Sequence, residues 1–291
     1  MSMVVQVASP ETCVAISGVG LIGGSIAAAI RVRSPGCHII GVGRSAARLE
    51  EAVRRGLLDE YRSGELSENS LPAHALGIAC QPVNQIVPAA EALLRAGCGV
   101  VTDAGSVKDP ICRVFANQPR FVGAHPIAGS EQNGFEAADS ELFAGRVCVI
   151  TPVDTVTEPS KSEREANSLR VAKFWASLGM RVVEMLPPEH DRILALTSHL
   201  PHVLASVAAG CVTPEMLPLT GTGFRDTTRI AAGSAAVWTS ILSDNAEHCI
   251  DAIQQAEMRL AEFRKALQSQ NLEALTALWD AGASLRRMLD A

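Results

Sequence analysis

The glycine spacing within the segment Cys13–Ser25 constrains the fold of this chain more than any other feature. Three glycines in the G-x-G-x-x-G spacing follow an apolar run that has the pattern of a strand. In such a loop the first glycine permits a tight turn, the second lets the backbone approach a pyrophosphate, and the third lets the next helix pack closely on the sheet. The segment therefore predicts a dinucleotide site, whose binding residues are Gly18, Gly20, Leu21, Ile22 and Gly23.

The turn after the second predicted strand, His38–Val42, indicates which dinucleotide would bind. Enzymes that use NAD usually place a carboxylate there, which accepts hydrogen bonds from the ribose hydroxyls. This chain has Gly43 instead, followed by Arg44, whose planar cation suits a 2′-phosphate, and by Ser45. We therefore predict NADP as the cofactor and NAD as the alternative, with Arg44 and Ser45 as binding residues. The competing interpretation is that Arg44 is an ordinary solvated loop arginine.

Composition and charge narrow the class of protein. The chain has 291 residues, a net charge of −6 and 4% aromatic residues, so it offers no broad basic surface to nucleic acid and small molecules are the expected partners. The uncharged segment Thr12–Ile30 is nearly long enough to cross a membrane, but the strand, loop and helix already account for it. The amino terminus lacks a signal-peptide pattern, and the eight cysteines include no C-x-x-C pair. We expect a cytoplasmic enzyme with reduced cysteines and no membrane segment.

The order of the predicted elements indicates two domains. Short apolar runs alternate with helical patterns, and after the first two strands these runs are Leu76–Cys80, Cys98–Thr102, Arg120–Ala124, Arg146–Ile150 and Arg181–Met185. From Pro187 onward only long helical patterns remain. We predict an α/β fold, with a Rossmann-type doubly wound sheet over residues 12–186 and an all-helical domain over residues 187–291. Apolar helix faces left over in the second domain indicate a homodimer that forms through it.

Three local features refine this prediction. Glu189–Cys211 has a helical pattern that contains Pro201, so the helix must kink or change its hydrogen bonding locally. The polar segment Asp154–Glu165 is expected to be a surface loop before a helix near Asn167–Leu178. Asn271 is expected to cap the last helix.

Polar residues follow two neighbouring strands at their carboxyl ends, where open α/β sheets bind ligands. Ser106 follows one of these strands and His125 the next. Oxidation of an alcohol requires a group that takes the hydroxyl proton while hydride leaves, and a histidine near its ordinary pKa is the usual base. We predict that His125 is this base and that Ser106 orients its imidazole or contacts the same hydroxyl. The alternatives are a structural histidine and a Gly-Ser pair that caps a helix.

Three further histidines, His190, His199 and His202, lie on or beside the helix that contains Pro201. Zinc binding is rejected because no Glu completes an H-E-x-x-H pattern and no cysteine lies near, so we predict no metal. Hydrogen bonding to a polar or anionic substrate is the favoured role. For His199, a buried place in the helical core is the alternative.

The segment Gly223–Arg229 places two arginines and an acid between glycine and alanine residues. Arg229 is suited to hold a carboxylate through two parallel hydrogen bonds, and Asp226 to hold a neighbouring group in place. The alternative is a set of ordinary surface charges.

Five motifs spread over both predicted domains carry a resemblance to a known family. They are GVGLIGGS, DAGSVK, HPIAGSEQNGFEAADSELF, EHDRILALTSHLPH and GFRDTTRIAAGSAAVW, in this order over about residues 12–250. The chain resembles the TyrA family of prephenate and arogenate dehydrogenases. By this resemblance His125 is the catalytic histidine and Ser106 its partner. The residues that the resemblance assigns to substrate binding are His202, Arg229, Glu131, His190, Asp226 and Trp238. Trp238 matches a tryptophan at the active-site rim, which in the dimers of this family can come from the neighbouring subunit.

The resemblance implies oxidation and decarboxylation of a cyclohexadienol that carries a ring carboxylate. His125 would accept the hydroxyl proton, hydride would pass to NADP, and loss of carbon dioxide would leave an aromatic ring. Prephenate and arogenate, which differ in one side-chain group, both remain candidate substrates. A β-hydroxyacid-type dehydrogenase is one alternative, but it would need a lysine base on the long helix. A non-catalytic dinucleotide-sensing module is another, but it has no use for this set of polar residues.

Overall fold

The computed structural model describes residues 11–129, 132–152 and 160–289, and within them the chain forms an eight-stranded sheet and eleven α-helices. The strands are β1 (Cys13–Ser17), β2 (His38–Gly43), β3 (Glu60–Ser63), β4 (Leu76–Ala79), β5 (Val100–Asp103), β6 (Phe121–Pro126), β7 (Val147–Thr151) and β8 (Arg181–Glu184). The helices are α1 (Leu21–Arg33), α2 (Ala46–Arg54), α3 (Val83–Arg95), α4 (Asp109–Val114), α5 (Ser160–Ser177), α6 (Pro187–Leu194), α7 (Leu200–Gly210), α8 (Thr222–Thr228), α9 (Ala235–Asp244), α10 (Ala246–Gln268) and α11 (Leu272–Arg287).

The sheet has the strand order β3-β2-β1-β4-β5-β6-β7-β8, with β1 between the two halves. Ala15 in β1 pairs with Ile40 on one side and with Gly77 on the other, and both pairings are parallel. All five residues of β1 are buried, as expected for a central strand covered on both faces. Among the described strands, β7 runs antiparallel to β6 and β8 runs parallel to β7, so these two strands are opposite in direction to the other six. The predicted Rossmann-type sheet is confirmed.

Helices cover both faces of the sheet, and the alternation of side chains along β1 divides the core accordingly. Val14 and Ile16 pack in one buried cluster with Trp175 of α5. Ala15 points the other way and packs in a second cluster with Ile86 of α3. With both faces covered, ligands have access at the carboxyl ends of the strands.

Two expectations about local structure were incomplete. The edge strand β3 was not predicted, because its sequence EYRS lacks apolar alternation and is only partly buried. The expected loop Asp154–Glu165 lies partly outside the described residues, and its second half already belongs to α5, since the charged sequence from Ser160 forms the first turns of that helix.

Past residue 186 the described chain is helical, and Pro201 is accommodated by a change in hydrogen bonding. A π-helical turn, Ala195–His199, separates α6 from α7. The Leu200 amide bonds to the Ala195 carbonyl, five residues back, and Pro201 then occupies the first turn of α7, where it needs no amide hydrogen. Such π-turns are frequent at functional sites.

Helix α9 packs the helical part of the chain against α3, which covers one face of the sheet. Its Ile241 lies in the same buried cluster as Ile86 of α3. The start of α9 and the end of α6 lie beside the carboxyl ends of β5 and β6, since Val237 and Leu194 line one cavity with Ser106 and His125. At the far end of the helical part, Asn271 caps α11 by accepting a hydrogen bond from the Ala274 amide at 2.9 Å.

Candidate active site

The glycine loop after β1 has the geometry of a pyrophosphate cradle. Gly18 adopts φ +92°, a conformation that favours glycine, and a Cβ there would lie 3.0 Å from the Cys80 carbonyl group. A Cβ on Gly23 would collide with the Gly18 carbonyl oxygen, whereas Gly20 faces open space. No side chain caps the start of α1, so the amides of Leu21 and Ile22 in its first turn remain available to an anion. These residues fit a dinucleotide.

The end of β2 has no carboxylate, and its cationic residues differ in their surroundings. Arg44 is exposed, and Ser45 caps α2 by accepting a hydrogen bond from the Arg48 amide at 3.4 Å. The Arg48 guanidinium forms a salt bridge with Glu136 at 3.0 Å and lies 5.2 Å from the Phe135 ring centre. The segment that follows the β6 loop therefore contacts α2, the helix that begins after the predicted ribose-binding turn, and sequence analysis did not predict this contact.

A cavity of about 550 Å³ opens at the carboxyl ends of β5 and β6, beneath α9. The predicted site residues that line it are Ser106, His125, His202, Arg229 and Trp238. Asp226 does not reach this cavity, because it lies on an exposed side of α8. His190 lies behind His125 rather than on the cavity wall, and Glu131 lies outside the described residues.

A chain of hydrogen bonds behind His125 determines which of its nitrogens faces the cavity with a lone pair. The Asp191 carboxylate accepts hydrogen bonds from the Lys108 and Asp109 amides, both at 2.8 Å, so it acts as a fixed acceptor. His190 Nδ1 lies 2.6 Å from Asp191 Oδ1 and must therefore donate to it. His190 Nε2 is then an acceptor, and His125 Nδ1, at 2.9 Å, donates to it. His125 Nε2 keeps its lone pair, as a general base requires.

Burial keeps His125 and His190 neutral. It lowers the pKa of His125 well below its ordinary value, and the neighbouring His190 and Lys108 lower that pKa further. Burial also lowers the pKa of His190, although its hydrogen bond to Asp191 opposes this effect. The sequence predicted a base near its ordinary pKa. In the structure His125 instead loses its proton at a lower pH. His190 occupies Nδ1 of His125, so Ser106 can orient the imidazole only through Nε2, and both of its predicted roles stay predictions.

A buried ion pair fixes the strand that carries His125. Lys108 Nζ donates to the Asp103 carboxylate and to the Ala124 carbonyl, the latter at 2.8 Å, and both charged side chains are fully buried. Asp103 Oδ1 also accepts a hydrogen bond from the Ala124 amide at 3.0 Å. The amide and the carbonyl of Ala124, the residue before His125, are thus both bound by charged side chains. These hydrogen bonds restrain the position of the base.

His202 and Trp238 form the opposite wall of the cavity. Their rings stack with centres 3.6 Å apart, and His202 Nδ1 lies 2.8 Å from the Ser198 carbonyl oxygen, to which it donates. Burial lowers the pKa of His202, and the nearby Arg229 lowers it further, while the hydrogen bond to Ser198 opposes both effects. Trp238 of the same chain thus completes this wall.

Sequence analysis missed several residues of the site, chiefly Asp103, Lys108, Asp191 and Asn245. The first three lie within the motifs DAGSVK and EHDR, so the motifs were noticed but no role was given to their charged residues. A carboxylate beside a histidine was the available signal for Asp191. Asn245 lies outside every motif that we examined. Among the described residues, no group of three or more His, Cys, Asp or Glu side chains is placed to hold a metal.

Comparison with known proteins places this geometry in a family. The model of the prephenate dehydrogenase nucleotide-binding domain matches residues 26–184, and that of the prephenate dehydrogenase dimerization domain matches residues 186–280. The prephenate dehydrogenase of Bacillus subtilis is 32% identical, with the match covering 89% of this chain and 71% of the relative. The cyclohexadienyl dehydrogenase of Zymomonas mobilis is also 32% identical, with 89% of each chain covered.

A solved structure agrees with these matches over nearly the whole chain. Prephenate dehydrogenase from Aquifex aeolicus, in complex with hydroxyphenyl propionate and NAD+, superposes with a TM-score of 0.84 and 28% sequence identity. The superposition covers 98% of this chain and 100% of the other. The chain is therefore an NAD(P)-dependent dehydrogenase that belongs to the prephenate dehydrogenase family.

Proposed function

We propose that this protein catalyses the oxidative decarboxylation of prephenate, arogenate or both in tyrosine biosynthesis. The observation that carries the proposal is the hydrogen-bonded series Asp191–His190–His125, which ends at the wall of a cavity lined also by Arg229. It provides a neutral base with a free lone pair next to a group that can hold an anion.

Each residue of the cavity has a separate role in the proposed reaction. When bound, the nicotinamide cofactor supplies the hydride acceptor. His125 Nε2 accepts the proton of the substrate hydroxyl, and Ser106 contacts the same oxygen. The Asp191 carboxylate stabilises the positive charge that then spreads over His125 and His190. Arg229 holds the substrate anion in position, and His202, which lines the same cavity, contacts the substrate beside it. Loss of carbon dioxide needs no further protein group, because the product ring becomes aromatic.

NADP is the cofactor that we propose, with NAD as the weaker one. Gly43 offers no carboxylate to the ribose hydroxyls, and the exposed Arg44 and the helix-capping Ser45 are suited to a 2′-phosphate. Arg48 forms a salt bridge with Glu136, so of these two arginines Arg44 is the one that we assign to the 2′-phosphate.

A homodimer formed through the helical part of the chain is also proposed. Large apolar side chains are exposed on the single chain, among them Val207, Leu260 and Trp279. Among the described residues, the helical stretch Pro187–Gly210 is long and apolar enough to cross a membrane, with 22% of its most apolar window buried. This stretch carries Asp191, which hydrogen-bonds to the start of α4, so a second copy of the chain accounts for its exposed face better than a bilayer does.

We further propose a cytoplasmic enzyme with a domain boundary between residues 186 and 187.

The test is a steady-state assay of purified protein with prephenate and with arogenate, each combined with NADP and with NAD. The proposal expects reduction of the cofactor and release of carbon dioxide with at least one substrate, and a higher kcat/KM with NADP than with NAD. Failure to oxidise either substrate with either cofactor would exclude the proposed reaction.

A further inference from the structure

His199 is a buried histidine on the cavity wall to which the proposed mechanism assigns no role. Its side chain is 1% exposed, and it ends the π-helical turn between α6 and α7. Two polar groups at the start of α10 approach its Nδ1: Asn245 Nδ2 at 3.1 Å and Cys249 Sγ at 3.5 Å. Both are themselves nearly fully buried, with 4% and 5% of their surface exposed.

The Asp191 backbone determines the orientation of the Asn245 amide. Asn245 Nδ2 lies 2.8 Å from the Asp191 carbonyl oxygen and donates to it. The reverse orientation would place two oxygen atoms against each other. The second hydrogen of the same nitrogen is then directed at His199 Nδ1, which must accept it. The Cys249 thiol, whose pKa is raised by burial, stays protonated and is a second donor to the same nitrogen.

A ring nitrogen that accepts carries no proton, so the proton of the neutral His199 ring is on Nε2. No acceptor among the described residues is hydrogen-bonded to Nε2, and His199 lines the cavity together with His125, His202 and Arg229. The ring therefore presents an N–H group on the substrate side. Burial lowers its pKa to about 4, in agreement with a ring that has no acceptor for a second proton.

We propose that Asn245 is a positioning residue that holds His199 in the Nε2–H tautomer, so that His199 donates a hydrogen bond to an oxygen atom of the anionic substrate. The inference rests on the proposed function for the identity of the substrate, but not for the tautomer. It assigns complementary roles to two cavity histidines: His125 Nε2 accepts a proton, and His199 Nε2 donates a hydrogen bond. A neutral donor beside Arg229 adds direction to the binding of the anion without adding a second charge.

The decisive variant is Asn245→Asp, which replaces the donor at His199 Nδ1 by a carboxylate that accepts. The proton of the neutral ring then moves to Nδ1, and Nε2 loses its N–H. The new carboxylate also favours the doubly protonated ring, so the pKa of His199 should rise. Below that pKa the ring donates from Nε2, and above it the ring does not. KM for the substrate should therefore rise with pH in the variant, by roughly tenfold between pH 5.5 and 8.5, as expected for loss of one hydrogen bond to a charged group.

Other titrating groups face His199 and must be separated from its effect. They are Asp191 and His190 on α6, His202 on α7, Cys249 on α10 and His125 on β6. Because all of them are present in the wild type, the measured quantity is the ratio of KM in the variant to KM in the wild type at each pH. A merely structural defect would shift this ratio equally at all pH values. Asn167→Asp is the matched control, since Asn167 also donates to a backbone carbonyl, that of Pro119 at 3.0 Å, on an element away from the cavity.

The tautomer can be measured without turnover, by ¹⁵N NMR of the ring nitrogens in the wild-type protein. The chain has seven histidines, and His199→Leu assigns the signal of this one. The inference expects a pyridine-like Nδ1 and a protonated Nε2, a pH-dependent KM ratio for Asn245→Asp, and a raised KM with little change in kcat for His199→Leu. A protonated Nδ1 in the wild type, or a pH-independent KM ratio, would overturn it. If Asn245→Asp fails to fold, the NMR measurement decides the tautomer and KM of His199→Leu decides the contact with the substrate. Absence of turnover in the wild type would refute the proposed function and leave the tautomer assignment to the NMR result.

Discussion

Replacement of Asp191 by Asn is the most direct test of the hydrogen-bonded series behind His125. The substitution keeps the size of the side chain and removes its charge. The carboxylate is separated from His125 by two hydrogen bonds, of 2.6 and 2.9 Å, and by one imidazole ring. For a separation of roughly 7 Å and an effective dielectric constant of about 20, the lost stabilisation of a protonated His125 is about 2 kcal/mol. This corresponds to a decrease in kcat of roughly 30-fold.

A second effect adds to this loss. Both oxygens of Asp191 accept hydrogen bonds from backbone amides, those of Lys108 and Asp109. An Asn amide group must place its NH2 against one of these N–H groups, which costs about 1–3 kcal/mol of folding free energy. If the NH2 takes the place of Oδ1, it faces His190 Nδ1 as well as the Lys108 amide, so that ring must change its tautomer and His125 loses its acceptor nitrogen. The decrease in kcat would then approach roughly 10⁴-fold, as for other orienting carboxylates of catalytic histidines.

We therefore expect Asp191→Asn to lower kcat by between roughly 30-fold and 10⁴-fold with a much smaller change in KM, measured by steady-state kinetics. The control is Asp109→Asn, a neighbouring carboxylate whose side chain contacts the exposed Arg113 at 2.6 Å and not the histidines. It should keep nearly full activity. If Asp191→Asn retains kcat within threefold of the wild type, the hydrogen-bonded series does not determine the strength of His125 as a base, and the reasoning is refuted.

Three further predictions concern the base, the cofactor and the substrate anion. His125→Asn should lower kcat by roughly 10²–10⁴-fold, and an Asn variant with most of its rate would place the base elsewhere. In the wild type, kcat/KM should be level around neutral pH and decrease only well below pH 6.5, because burial lowers the pKa of a base that must be unprotonated. Arg44→Ala should raise KM for NADP and leave KM for NAD nearly unchanged, and equal effects on both cofactors would contradict the assignment of the 2′-phosphate site. Arg229→Ala should raise the substrate KM by an amount equivalent to about 2–3 kcal/mol, with partial recovery in Arg229→Lys and unchanged NADP affinity; loss of cofactor binding in titrations would refute its role as the substrate clamp.

Local patterns in the sequence were sufficient for the glycine loop, the sheet, the change to helices after residue 186 and the position of His125. Each depends on neighbours within a few residues: a glycine spacing, a period of two or 3.6, or a polar residue after an apolar run. Local sequence also predicted that Pro201 would disturb its helix, and a π-helical turn precedes this proline in the structure. It could not anticipate β3, whose pairing with β2 is decided by the sheet and not by its own polar sequence.

The protonation pattern of the site was decided by tertiary structure alone. Asp191 and His125 are 66 residues apart, and the ring between them is oriented by the packing of α6 against the start of α4. Asn245 reaches His199 across 46 residues, and only the position of the Asp191 carbonyl determines which end of its amide faces the ring. A sequence records which residues can titrate, but the tautomer and the pKa of a histidine depend on burial and on the donors and acceptors that the fold brings to each nitrogen.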